Sequence, residues 1–113
     1  MSREAGQNRK AKKVKFEFKT QGELFEWRGP APYYFVKVDP EISALVKQRA
    51  REHTYGWGVV YIHGRIDKTE FQTSLIPKSE IYYVPIKDAV RKELDLQLDD
   101  VLKIQFNLGK MKN

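Results

Sequence analysis

The chain has no cysteine, only two histidines and no long apolar run, and each shortage removes a class of function. Without cysteine there are no disulfides, no thiolate nucleophile and no cysteine-ligated zinc. That composition suits a reducing compartment, and a cytoplasmic location is expected. The first twenty residues lack the continuous apolar stretch of a secretory leader. No segment approaches the roughly eighteen apolar residues of a membrane helix, so no membrane partner is expected. Neither G-x-x-x-x-G-K nor G-x-G-x-x-G occurs, which excludes the familiar nucleotide-cradling loops.

Acid–base chemistry is equally short of residues. A Ser–His–Asp hydrolase needs a nucleophile, a base and an orienting acid. His53 falls at the end of a helical pattern in "REHTYG", where an imidazole ordinarily partners the helix dipole. His63 opens "HGRID", which reads as a surface turn. Two isolated histidines make no zinc site. The carboxylate pairs Asp99–Asp100 and Glu93/Asp95 lie around one turn and read as solvated. No catalytic residue, metal ligand or cofactor is expected.

Charge is present but unevenly placed. The net charge is +6, yet residues 14–109 hold fourteen Lys/Arg against fourteen Asp/Glu. The excess sits in the tails: Arg3, Arg9, Lys10, Lys12 and Lys13 against Glu4 at one end, Lys110 and Lys112 at the other. The opening "MSREAGQNRKAKK" is polar and aperiodic, the signature of a disordered tail. Arg9, Lys10, Lys12 and Lys13 are its candidate nucleic-acid arm. The expected organisation is a basic tail over 1–13, one domain over 14–109 and a short basic tail over 110–113.

Within that domain, strand periodicity dominates. Val14, Phe16 and Phe18 alternate with polar residues, and Phe25 and Trp27 resume the alternation after a break at Gln21–Gly22. "RGPAP" (28–32) reads as a loop, followed by a strand over 33–38 with Tyr34, Val36 and Val38 on one face. Asp39 is a candidate cap and Pro40 a first helical residue, with Ile42, Leu45, Val46 and Ala50 at helical spacing. "GWGVVYI" (56–62), "TEFQTSLI" (69–76) and "IYYV" (81–84) follow as strands of a meander, turning at "HGRID" and "PKSE". Pro85 then opens a helix with Ile86, Ala89, Val90 and Leu94 on one face. After a turn at Asp99–Asp100, Leu102, Ile104, Phe106 and Leu108 alternate as the last strand.

About seven strands are too many for one flat sheet in a chain this short. The expected fold is mainly β: a small closed or nearly closed antiparallel β-barrel with two short helices. "FVKVDPEISALVKQ" and "YYVPIKDAVRKE" repeat the order strand, proline, helix, which fits either an internal duplication or two ordinary helix starts.

Aromatic residues are the feature without a structural use for all members. Strand alternation cannot bury every one, and Trp27, Tyr33, Tyr55 and Trp57 are the candidates to remain near the surface as a binding groove. Gly56 and Gly58 would allow close backbone approach beside Trp57. Arg65, Lys78 and Arg91 could gather as a basic cluster, although Asp88 or Asp95 is an obvious partner for Arg91.

The pieces "KFEF" (15–18), "YYFVKV" (33–38), "GWGVVYIHGRI" (56–66), "FQTSLIP" (71–77) and "YYVPIKDAVRKEL" (82–94), in that order, resemble a bacterial family known only as a domain of unknown function. Some of its members precede a YdeI/OmpD-associated, bacteriocin-protection domain. The resemblance implies a small β-barrel. Residues 82–106 also look like the AbrB/MazE class of swapped-hairpin transcription factors and antitoxins, with Asp99–Asp100 standing at that class's Gly-Asp turn. In that class two short chains make one barrel; here one chain supplies both halves.

The functional expectation is a non-catalytic binding or accessory module that engages a protein or small ligand through an aromatic-rich barrel end, as a monomer or weak dimer. The alternative is a nucleic-acid-binding regulator or antitoxin-like protein using the basic N-terminal arm.

Overall fold

A computed structural model describes residues 15–28, 32–51 and 60–109. Seven strands and two helices follow in order: β1 (Phe18–Glu23), β2 (Phe25–Arg28), β3 (Pro32–Lys37), α1 (Pro40–Ala50), β4 (Val60–Ile66), β5 (Thr69–Lys78), β6 (Ile81–Pro85), α2 (Asp88–Leu94) and β7 (Val101–Leu108). Every pairing is antiparallel, and the sheet order is β1-β7-β4-β5-β6-β3-β2. The sheet curls into a half-barrel.

Two corners produce the curl. β5 pairs with β4 through Leu75 and with β6 from Ile76 onward, so one strand serves two layers. β1 and β2, the two ends of the sheet, are consecutive in the chain and bend at Leu24. That residue is held by Leu24 N donating to Asp100 O and Asp99 N donating to Leu24 O, both 2.9 Å. Gly22 makes the bend sterically feasible: a Cβ there would lie 3.0 Å from Lys37 O and from Val36 Cγ1. The inward residues of both layers, among them Leu24, Val36, Ile62, Leu75, Val84, Ile104 and Phe106, form one continuous core.

The two halves share one topology. Exchanging 18–66 with 69–108 turns β1·β7 into β5·β4 and β2·β3 into β5·β6, while β3·β6 and β4·β7 map onto themselves. Leu24 and Leu75 are the matching corners. Val38 N donates to Tyr82 O at 2.9 Å and Ile86 N to Tyr34 O at 2.8 Å, two copies of the same bond. The repeated strand-then-helix order of the sequence thus corresponds to a repeated unit of architecture.

The helices follow β3 and β6. α1 buries Ser43, Val46 and Ala50, with Ile42 half-buried. Leu45, expected on the buried face, is exposed instead, and Ser43 takes its place. The reason is polar: Ser43 Oγ accepts from Tyr82 N at 3.1 Å and donates to Val38 O at 3.4 Å, tying α1 to β6 and to the end of β3. Asp39 caps α1 without a side-chain bond; its own N–H donates to Thr20 Oγ1 at 2.8 Å. α2 begins at Asp88 rather than Pro85, because Pro85 still pairs with Phe35 as the end of β6. Ala89 is exposed, and Val90 carries the buried face.

Other boundaries shift for equally local reasons. The first strand starts at Phe18 and runs through Gln21–Gly22, which pair with Lys103 and Leu102; the break falls at Leu24. Arg28 and Pro32 close a hairpin rather than lying in a loop. "HGRID" is not a turn: His63, Gly64 and Arg65 sit inside β4, and the turn is Asp67–Lys68. Gly64 belongs in the strand because the Phe71 ring fills the space of its missing side chain. "PKSE" likewise narrows to Ser79–Glu80, both at positive φ as a type I′ hairpin turn requires.

Candidate functional site

Residues facing each other across an antiparallel ladder project from the same face. The registers therefore assemble the outward face of the β2–β3–β6 layer. Trp27 opposes Tyr33, and Phe25 opposes Phe35, which opposes Pro85. Lys37 opposes Tyr83, which opposes Ile76 on β5; the row ends with Ile81 opposite Lys78. The face thus carries five aromatic rings and two lysines, and no carboxylate projects from its strands.

Phe35 is the hub. Its ring centroid lies 5.8 Å from Trp27, 6.1 Å from Phe25, 6.5 Å from Tyr33 and 6.4 Å from Tyr83. The Trp27 and Tyr83 contacts are edge-to-face, the arrangement that ring quadrupoles favour. This small outer cluster leaves Phe35 only 9% exposed, although it lies on the opposite side of the sheet from the main core. Trp27 and Tyr33 remain open to solvent, at 36% and 59%.

The face is dished. β5 and β2 are separated by β6 and β3 in the sheet, yet Lys78 Nζ lies 3.8 Å from the centre of the Trp27 ring. Strand twist curls this diagonal inward until a lysine at one corner reaches a tryptophan at the other. Beside Phe25 and Tyr83 the dish opens into a cleft of about 440 Å³ that Gly22, Lys37, Glu23 and Asp39 also line.

Trp27 and Tyr33 are thus brought together as a cross-strand pair. Tyr55, Trp57, His53 and the arm residues Arg9, Lys10, Lys12 and Lys13 lie outside the described residues. Phe35, Tyr83 and Lys78 complete the face, and the sequence signal for the first two was their strand parity opposite Val36 and Val84. Arg65, Lys78 and Arg91 do not act as one group. Arg65 Nη2 donates to Gln105 Oε1 at 2.9 Å, Lys78 covers Trp27, and Arg91 pairs with Asp88 while stacking on Tyr34.

His63 is a buried strand residue, 6% exposed, and not a surface turn histidine. Its Nε2 shares a 2.8 Å hydrogen bond with Glu70 Oε1, and the Phe16 ring packs against it at 5.7 Å. Asn107 holds that covering segment in place: its Oδ1 accepts from Glu17 N and its Nδ2 donates to Lys15 O. Burial pushes the Tyr82 phenol above its ordinary value, opposed in part by the Lys47 ammonium. Among the described residues no group of three His, Asp or Glu side chains is gathered that could hold a metal ion. No helix among them is long and apolar enough to cross a membrane.

Fold and face together define a mainly-β half-barrel with two helices and an aromatic outer surface. The model of the family described as Domain of unknown function (DUF1905) matches residues 21–106, and the chain belongs to that family. That span runs from the first bent strand to the last, so it covers both topological halves. A comparison with curated proteins finds no match.

Proposed function

We propose that this chain is a non-catalytic binding module of the bacterial cytoplasm that takes its partner on the dished aromatic face of β2, β3 and β6. The observation that carries the reading is the solvent-facing pair Trp27 and Tyr33 above the Phe35 hub. Rings in that position add nothing to the main core, and contiguous exposed apolar surface is a mark of interaction sites. The absence of cysteine and the balanced charge of 14–109 fit a module of this kind. The likeness of 82–106 to AbrB/MazE factors enters as architecture: one chain carrying two like halves would be the single-chain counterpart of their two-chain barrel.

The test is a titration panel on the full chain with four labelled probes: a single-stranded oligonucleotide, a duplex, a neutral oligosaccharide and a proline-rich peptide. At least one probe should bind saturably, and the double variant Trp27→Ala/Tyr33→Ala should lose it while keeping its melting temperature within a few degrees. Tyr33 is the more exposed of the two, and since Trp27 also covers Phe35, the melting temperature of the double variant is the check that the fold is retained. If no probe binds, or if the double variant binds as well as the parent, the aromatic face is not a binding surface.

A further inference from the structure

Resting on that reading of the face, we infer that its occupant is single-stranded nucleic acid. The chemistry of the dish is flat π-surface plus isolated positive charge. The charged residues projected by the described strands of the face are Lys37 and Lys78, and Lys78 already lies against Trp27 in the free protein. Cation–π contact at an exposed site is modest and exchangeable. A base could replace the ammonium on the Trp27 ring, and a phosphate of the same strand could receive the displaced ammonium. Single-stranded nucleic acid supplies both groups together, and its bases stack on aromatic side chains without needing a particular sequence.

Other occupants fit less well. A neutral sugar also stacks on aromatic rings but offers no anionic group to Lys37 or Lys78. A second copy placed symmetrically would bring four lysines together with no acid projecting from the facing strands. Duplex DNA keeps its bases stacked on one another and could not lay them on Trp27 or Tyr33. Glu23 and Asp39 line the same cleft as Lys37 and would repel a phosphate there, which leaves Lys78 and the Trp27–Tyr33 side of the face for the strand.

The dimensions suit a short footprint. β2 contributes four residues, roughly 13 Å of strand at 3.3 Å per residue. That accommodates about two or three bases, as on other sheets that read single strands by stacking. Lys15, the first described residue, has its carbonyl held by Asn107 of β7, in the layer away from the aromatic face.

The test uses fluorescence anisotropy of the full chain with a labelled single-stranded eight-nucleotide probe and with the matching duplex. Trp27→Ala and Tyr33→Ala should each weaken single-strand binding about ten-fold, Tyr33→Phe should retain it, and duplex binding should not respond to any of the three. Lys78→Gln should flatten the salt dependence by about 0.7 in log–log slope, the value for one phosphate. Single-strand binding that is unchanged in both ring variants and lost when Arg9, Lys10, Lys12 and Lys13 become Gln overturns the inference in favour of the arm. Ring-dependent binding of peptide or sugar but not oligonucleotide also overturns it, while leaving the aromatic face as a binding surface. If no probe of any class binds, inference and proposed function fall together.

Discussion

Ser43→Ala is the most informative single change to the fold. The Ser43 hydroxyl is fully buried, accepting from Tyr82 N of β6 and donating to Val38 O just past β3. Removing it leaves the Tyr82 N–H enclosed without that acceptor. An unsatisfied buried donor costs about 1–3 kcal/mol, and the better helix propensity of alanine returns at most about 0.5 kcal/mol. A net loss of about 1.5 kcal/mol is expected, which for a domain of this size lowers Tm by roughly 6–12 °C. Urea denaturation followed by circular dichroism, with the exposed-site variant Gln48→Ala as control, measures it. A Ser43→Ala protein within about 0.5 kcal/mol of the parent, the range of ordinary surface changes, would mean that α1 is held by apolar contact alone.

Three further outcomes follow from local geometry. Replacing Ser79–Glu80 by Asn-Gly should raise stability by about 0.5–1 kcal/mol, since both positions have positive φ that Asn and Gly adopt more easily; an unchanged urea midpoint would contradict this. Gly64→Ala should destabilise by about 1–3 kcal/mol, because its Cβ would stand 2.8 Å from Phe71 Cζ and 3.3 Å from Gln105 O; Phe71→Leu in the same background should recover part of the loss. For Tyr82 the raised pKa means that the folded state favours the protonated phenol. Stability is therefore unaffected below the ordinary tyrosine value and declines as pH rises above it, and urea midpoints between pH 8 and 11 should decline less steeply in Tyr82→Phe than in the parent.

Elements with a clean period were legible in the sequence. β7 follows from Leu102, Ile104 and Phe106 alternating with polar neighbours, and α1 from Pro40 and the spacing of Val46 and Ala50. Glycine and proline misled where tertiary structure overrode local preference. Gly64 looks like a turn until Phe71 is known to lie over it, and Pro85 looks like a helix start until Phe35 is known to pair with it. His63 belongs to the same error, since a strand position covered by Phe16 cannot be inferred from its neighbours in sequence. Part of the candidate face was visible: Trp27 and Tyr33 stand out as surplus aromatics. That Phe35 would collect them, and that Lys78 would reach Trp27 across two intervening strands, depends on the curl of the sheet, which no sequence window contains.

The ladder between β1 and β7 has a consequence for how the protein is made. Phe18 pairs with Phe106 and Glu23 with Val101, so the first described strand finds its partner only in the last. On the ribosome β1 must wait through the synthesis of everything between them, with Phe18 and its neighbours exposed. Contacts this distant in sequence form slowly, and a growing chain in that state is prone to association. The emerging chain therefore passes through a window of vulnerability that closes when residue 108 has left the exit tunnel.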